Sequence, residues 1–140
     1  MHLKRADIEP LLPQKGAMCF LNAVTGWDHE NICCTAIAPD AEHPLLRNGK
    51  VAAIVAVEYA AQATALHGAL LDAASSPKAG MLVKLRGVEL HCTWFPVNQH
   101  VVTVHAKLLF RTAGGCSYSF QVDNTHQAIA SGSLLVAFQS

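Results

Sequence analysis

Two side chains four residues apart, Glu58 and Gln62, interrupt the most apolar run of the chain, "VAAIVAVEYAAQATALHGALL", which extends from Val51 to Leu71. Residues at that spacing share one helix face, so a carboxyl and an amide stand together where burial is expected. Apolar surroundings favour the protonated form of a carboxyl group, which suits it to carrying a proton near neutral pH. Glu58 is therefore the candidate acid/base, and Gln62 a group that fixes the carboxyl or contacts a substrate. The peptide N–H groups of the first helical turn, around Ala52 and Ala53, lack intrahelical partners and are candidates to hold a developing oxyanion.

The remaining chemistry-bearing residues form weaker patterns. His67, further along the same run, reads as a partnered helix histidine, and Tyr59 as packing. His91 with Cys92, and His100 with His105, lack the grouped spacing of a zinc site, so no metal is assigned. Five cysteines, at 19, 33, 34, 92 and 116, are an odd number without a CxxC spacing, which argues for reduced packing residues rather than a disulfide framework. Cys33 and Cys34 point to opposite faces if their segment is a strand.

These residues need elements to position them. Residues 3–12 have a weak helical spacing that Pro13 ends. "AMCFLNAVTGWD" and "ENICCTAIA" read as two strands of a hairpin, and "PDAEHPLLRNGK", with two prolines and an Asn-Gly pair, as the loop into the long helix. The helix is alanine- and leucine-rich, apolar nearly all round, and exits at "SSPKAG", the pattern of a helix covered by protein on most sides. Four strand-like runs follow: "MLVKLRGVELHC", "HVVTVHAKLLF", "CSYSFQVD" and "QAIASGSLLVAF". In the second, Val102, Val104, Ala106, Leu108 and Phe110 are assigned to one buried face, with Thr103, His105, Lys107 and Arg111 among the residues on the other. Two strands, a long helix and a four-strand meander predict an α+β domain over residues 1–140, an antiparallel sheet curled round one central helix.

Composition narrows the function classes. Ten basic and ten acidic side chains cancel, which leaves no broad positive field for nucleic acid. With 51% hydrophobic residues, 140 residues suffice for one buried core. The opening "MHLKRADIEP" lacks the apolar core of a secretory signal, and Glu58, Gln62 and His67 argue that the apolar run is a core helix rather than a membrane span. A cytoplasmic protein is expected.

Two blocks carry a family resemblance: "LPQKGAM", Leu12 to Met18, and "EYAAQ", Glu58 to Gln62. With their flanks they resemble the hot-dog beta-hydroxyacyl-[acyl carrier protein] dehydratases, most closely the aryl-polyene-type, ApeP-like branch. The resemblance implies a hot-dog fold and a dimer whose sheets join edge to edge. It also implies acyl-thioester tunnels at the interface, substrates on acyl carrier protein or coenzyme A, and no metal or redox cofactor. Dehydrating a 3-hydroxyacyl thioester takes removal of the α-proton, protonation of the departing hydroxyl and support of the enolate-like oxygen. Glu58 is the candidate for the proton transfers and the Ala52 and Ala53 amides for the oxygen, with Gln62 in a secondary role that fixes the carboxyl or contacts the substrate.

The sequence departs from that pattern where the family usually has histidine and aspartate: here stand Gln14 and Asn22. Gln14 cannot serve as a base and is assigned to substrate positioning. Ordinary dehydratases of the superfamily take a histidine from a segment just before the helix, and His43 in "EHPLLRNGK" lies near that place, as a second proton carrier or a plain loop residue. Three readings compete: a 3-hydroxyacyl-thioester dehydratase, a hot-dog thioesterase in which Glu58 activates water, and a non-catalytic acyl-thioester or carrier-protein binding subunit paired with an active homologue. A homodimer is expected, with a higher oligomer or a heterodimer with a homologue as the alternatives. Arg47, Lys50, Lys84 and Arg86 are candidates to receive an acidic carrier protein.

Overall fold

Turn chemistry and apolar alternation divide the chain into seven strands and one principal helix, seen in a computed structural model that describes residues 2–72, 80–96, 101–125 and 127–139. The N-terminal stretch is β1 (Leu3–Lys4), α1 (Arg5–Ile8) and a 3₁₀ turn (Glu9–Leu11), with a second 3₁₀ turn at Gly16–Met18. Strands β2 (Leu21–Trp27) and β3 (Asn31–Ile37) form the expected hairpin. After the loop comes a 3₁₀ turn (Ala53–Val55) that runs into α2 (Ala56–Leu71), followed by β4 (Gly80–Leu90), β5 (Val101–Arg111), β6 (Gly115–Asn124) and β7 (Gln127–Phe138).

The strands make one antiparallel sheet in the order β1-β2-β3-β5-β6-β7-β4. The four strands after the helix are therefore not a simple meander. Only β5, β6 and β7 pair in succession; β4 takes the far edge beside β7, and β5 crosses back to pair with β3. The α+β hot-dog architecture, a sheet curled round one long helix, is otherwise as the sequence predicts.

Helix α2 packs its Tyr59, Ala60, Ala63 and Leu66 face into a core with Val102, Val104 and Ala106 of β5 and Tyr118 and Val122 of β6, all buried. Small residues along the helix let the sheet approach closely. The stretch Ala53–Leu71 is long and apolar enough to cross a membrane by length and composition, but half of that window is buried inside the protein, where it serves as the core helix. One side of it stays open: Ile54 and Ala65 are exposed, with Glu58 and Ala61 half-buried between them.

A bulge in β5 corrects one detail. Val102, Val104 and Ala106 face the core, but the register shifts between Leu108 and Phe110, and Phe110 is 52% exposed on the outer face. An extra residue in one strand reverses the alternation beyond it. All five cysteines are free thiols; Cys34 is buried while its neighbour Cys33 is only half-buried on the opposite face.

Candidate active site around Glu58

Glu58 stands in the first turn of α2 on the open side of the helix, flanked by Ile54 one turn before it and Ala61 and Ala65 after it. The covered sides hold the buried Tyr59 and Gln62. Side chains on a helix lean toward its N-terminus, so the carboxyl is carried back toward the Ala52–Val55 entry.

The polar group that reaches it comes from the first block of the sequence. Gln14 Nε2 donates to Glu58 Oε1 at 3.5 Å, a long bond between residues 44 apart in the chain. Gln14 Oε1 is buried and has no hydrogen-bond partner among the described residues. A dense set of contacts fixes the segment carrying Gln14: Leu12 is buried, Gly16 N–H donates to Glu9 Oε1 at 2.7 Å, and Arg5 donates to the carbonyls of Gly16 and Leu21 at 2.9 and 3.3 Å. Gly16 supplies the left-handed backbone, at φ 58°, that turns this segment toward the helix.

Gln62 has a different place from the one its spacing suggests. Its Oε1 accepts the Phe20 N–H at 2.9 Å and its Nε2 donates to the Met18 carbonyl at 2.7 Å, and it is fully buried. Both ends of the amide are thus committed to backbone, which removes it from the substrate and makes it a clamp on the strand entry that follows Gln14. The physical reason is that residues 18–20 leave a 3₁₀ turn with unpaired backbone groups, and a buried amide is the partner that satisfies them.

His43 likewise turns away from the carboxyl. Its Nδ1 accepts the Leu45 N–H at 3.1 Å, so the ring proton sits on Nε2, which donates to the Tyr59 hydroxyl at 3.1 Å. The imidazole belongs to a stack: Phe20 lies 4.7 Å from both the His43 and Tyr59 ring centroids, and Phe95 closes the group at 5.3 Å from Tyr59. Burial lowers the His43 pKa and raises that of the Tyr59 phenol, so both are neutral at pH 7. His43 therefore anchors the loop onto the helix, and no described hydrogen bond links it to Glu58.

The two amides expected at the helix start also separate. Ala53 N–H is taken by the Thr93 carbonyl at 3.0 Å, and Phe95 N–H donates to Val51 O at 2.9 Å, which pairs Ala52 with Trp94 in a short antiparallel bridge. Such a bridge points the intervening residue's own N–H away from the partner strand. Ala52 N–H has no hydrogen-bond partner among the described residues and stays available to an oxyanion. The α-helix itself starts four residues later, at Ala56, because residues 53–55 wind as a 3₁₀ turn.

Of the cations considered for a carrier protein, Arg47 donates to the Pro44 and Leu46 carbonyls and Lys50 Nζ lies 5.1 Å over the Trp94 ring, both beside the helix start. Lys84 and Arg86 belong to β4. Among the described residues no three of His, Cys, Asp and Glu group as metal ligands.

His67, the other helix histidine, is fully buried: Nε2 donates to the Asp28 carbonyl at 2.8 Å and Nδ1 accepts from the Tyr118 hydroxyl at 2.6 Å. It is the partnered structural histidine that the sequence suggests. Chain patterning alone gave no sign of Arg5, which ties down the Gln14 segment, because its acceptors are backbone carbonyls 11 and 16 residues away.

Solved structures with a similar fold include the dehydratase heterocomplex ApeI:P from Xenorhabdus doucetiae, at TM-score 0.83 and 19% identity over 95% of this chain and 91% of that one. A thioesterase from Haemophilus influenzae follows at TM-score 0.70 and 12% identity, covering 99% and 92%. A hypothetical thioesterase with coenzyme A from Streptococcus pneumoniae has TM-score 0.63 and 9% identity, covering 84% of each chain. At these identities the likeness carries the hot-dog fold. No protein of curated function matches the chain significantly in sequence. The family profile goes further than the fold: residues 6–140 match that of the ApeP dehydratases, and the chain belongs to this ApeP-like family of hot-dog dehydratases.

Proposed function

We propose that the chain dehydrates 3-hydroxyacyl thioesters presented on acyl carrier protein or coenzyme A, with Glu58 as the group that moves protons. The observation that carries this is the Glu58 carboxyl on the open side of the helix, held by Gln14 Nε2, on the helix whose entry carries the unpaired Ala52 N–H. A thioester oxygen on that N–H would bring the α-carbon within reach of the carboxylate. In this scheme Glu58 takes the α-proton, the enolate-like oxygen is supported by Ala52, and the same carboxyl returns the proton to the departing hydroxyl to give water and the enoyl thioester. Gln14 carries no titratable proton and holds the carboxyl in place.

The site is open in a single chain, and the proposal includes a second hot-dog subunit that covers it. Support comes from the ApeI:P relative, itself a heterocomplex. It also comes from β4, an edge strand of 11 residues that pairs with β7 on one side alone among the described residues and exposes Met81, Leu82, Val83 and Leu85. Such an edge is a template for pairing with another strand. The second subunit is a copy of this chain or a homologue. One observation favours a runner-up in which the chain only binds and presents the thioester to an active partner: no second titratable side chain is hydrogen-bonded to Glu58 among the described residues. Five free thiols fit a reducing compartment such as the cytoplasm.

The test is turnover of 3-hydroxyacyl thioesters of several chain lengths, on carrier protein and on coenzyme A, with enoyl formation followed by mass spectrometry. Enoyl product that disappears in Glu58→Ala supports the dehydratase. Undiminished turnover in that variant removes Glu58 from the mechanism; release of free acid instead of enoyl product would make the protein a thioesterase, and thioester binding without turnover would select the binding subunit.

A further inference from the structure

On the sheet face turned away from the helix, two neighbouring cross-strand rows place cations, hydroxyls and apolar side chains together. Register pairs Lys84 with Leu135, Leu135 with Ser117 and Ser117 with Phe110, so these four stand side by side across β4, β7, β6 and β5. The next outward row is Arg86, Ser133, Ser119 and Lys107. Between them the row Leu85, Leu134, Tyr118 and Leu108 points inward, where Tyr118 meets His67. Alternation along a strand therefore sends Ser117, Ser133, Lys84 and Arg86 outward, with the sheet between them and Glu58.

The two rows enclose a groove of about 320 Å³ walled by Lys84, Arg86, Leu109, Phe110, Ser117 and Ser133, among others, none of them acidic. Neither cation has a hydrogen-bond or ion-pair partner among the described residues, where Arg111 with Asp72 is the ion pair. The side-chain hydroxyls of Ser117 and Ser133 are equally unpartnered there. The β5 bulge turns Leu109 and Phe110 outward, 53% and 52% exposed, against the groove. Two large apolar side chains in water beside unpaired cations gain nothing for the fold, and exposed apolar surface rimmed by polar groups marks a binding site.

We infer that this groove binds a single-chain amphiphile with an anionic head, a carboxylate or a phosphate. The head lies between Lys84 and Arg86 with the serine hydroxyls donating to it, and the chain runs over Leu109, Phe110 and Leu135. A second copy of this face is the wrong occupant, because a two-fold contact centred on the groove would set Lys84 and Arg86 of one copy against those of the other. Pairing through the β4 backbone edge leaves the outward side chains uncovered, so the groove persists in a sheet-extended dimer. The inference is independent of the Glu58 reading, since the sheet separates the two sites.

The test is a titration of the ¹⁵N-labelled protein, below the critical micelle concentration, with decanoate, decyl phosphate, decanol and inorganic phosphate. Saturable amide shifts on β4, β6 and β7 for the anionic amphiphiles, weaker for decanol and for phosphate alone, are expected; whichever of decanoate and decyl phosphate binds more tightly identifies the head group. The double substitution Lys84→Ser and Arg86→Ser should weaken binding at least about tenfold, and Phe110→Ser should weaken it separately. Decanol binding as tightly as decanoate, shifts confined to the Gln14 and Glu58 region, or affinity unchanged in both variants would each overturn the inference.

Discussion

Glu58 and Gln14 meet across 44 residues of chain, and their pairing sets what a single substitution should do. Replacing Gln14 by histidine places a titratable ring where an amide now touches the carboxylate, which in the proposed scheme adds a second proton carrier beside Glu58. Positioned acid–base groups contribute roughly a hundredfold or more. Gln14→His should therefore raise the rate of enoyl formation by about that factor in single-turnover assays; a variant no faster than its parent would mean that the second carrier already arrives from the partner subunit. The buried histidines make a prediction of a different kind. His67 is held neutral mainly by burial, opposed by the Asp28 carbonyl bond, and His43 is held neutral by burial as well. Both have folded-state pKa values below the unfolded one, so the unfolded chain binds more protons as pH falls through about 6.5. Stability should be level above that pH and fall below it, with a limiting slope of about 1.4 kcal/mol per pH unit for each histidine. Urea midpoints compared at pH 7.5 and 5.5 check this, since carboxylates alone would leave those two values equal. Of the site, the sequence makes Glu58 legible because a carboxyl in an apolar helix demands a reason. Gln62, His43 and Ala53 are not legible in the same way: their partners, Met18 and Phe20, Tyr59, and Thr93, are set by tertiary contacts that no local spacing encodes.

Helix α2 works as a two-sided element, one side buried in the sheet and one left open at Glu58, and Gln62 couples it to the segment that delivers Gln14. Gln62→Leu keeps the volume but strands the Phe20 N–H and the Met18 carbonyl. A buried group left without its partner costs roughly 1–3 kcal/mol, so with two such groups the variant should lose about 2–6 kcal/mol in chemical denaturation. If Gln62 instead contacted substrate, the denaturation midpoint would hold and only KM would move. Element identities follow from periodicity: the long helix, the β2–β3 hairpin and the four later strands all lie where alternation or alanine content puts them. The order of the strands does not follow from periodicity. The pairing of β4 with β7 joins strands that β5 and β6 separate in the chain, a feature of the whole sheet that is invisible within any one run. The β5 bulge escapes the sequence for a related reason: Leu108, Leu109 and Phe110 are three consecutive apolar residues, and alternation cannot say which of them faces the core.

At the scale of the molecule, apolar surface stays uncovered along the β4 edge and on the open side of α2. Along β4 the residues facing inward, Leu82 and Leu85, are 40% and 38% exposed although their cross-strand partners Val136 and Leu134 are half-buried and buried. The open side of α2 with Ile54 and Glu58 is uncovered as well. An apolar edge strand of 11 residues invites pairing, and a second sheet joined there would extend the first and bury Leu82 and Leu85 against its own equivalent side chains. A charge at either position would then be buried in the joint. On the proposed pairing through β4, the double substitution Leu82→Glu and Leu85→Glu should yield single chains in size-exclusion chromatography with light scattering, while circular dichroism reports an unchanged fold. Turnover should fall with the complex and return as protein concentration is raised, because a site covered by a partner depends on mass action. An assembly that withstands both glutamates would place the partner elsewhere on the molecule, and the open side of α2 would then need a different cover for Glu58 to act in a water-poor site.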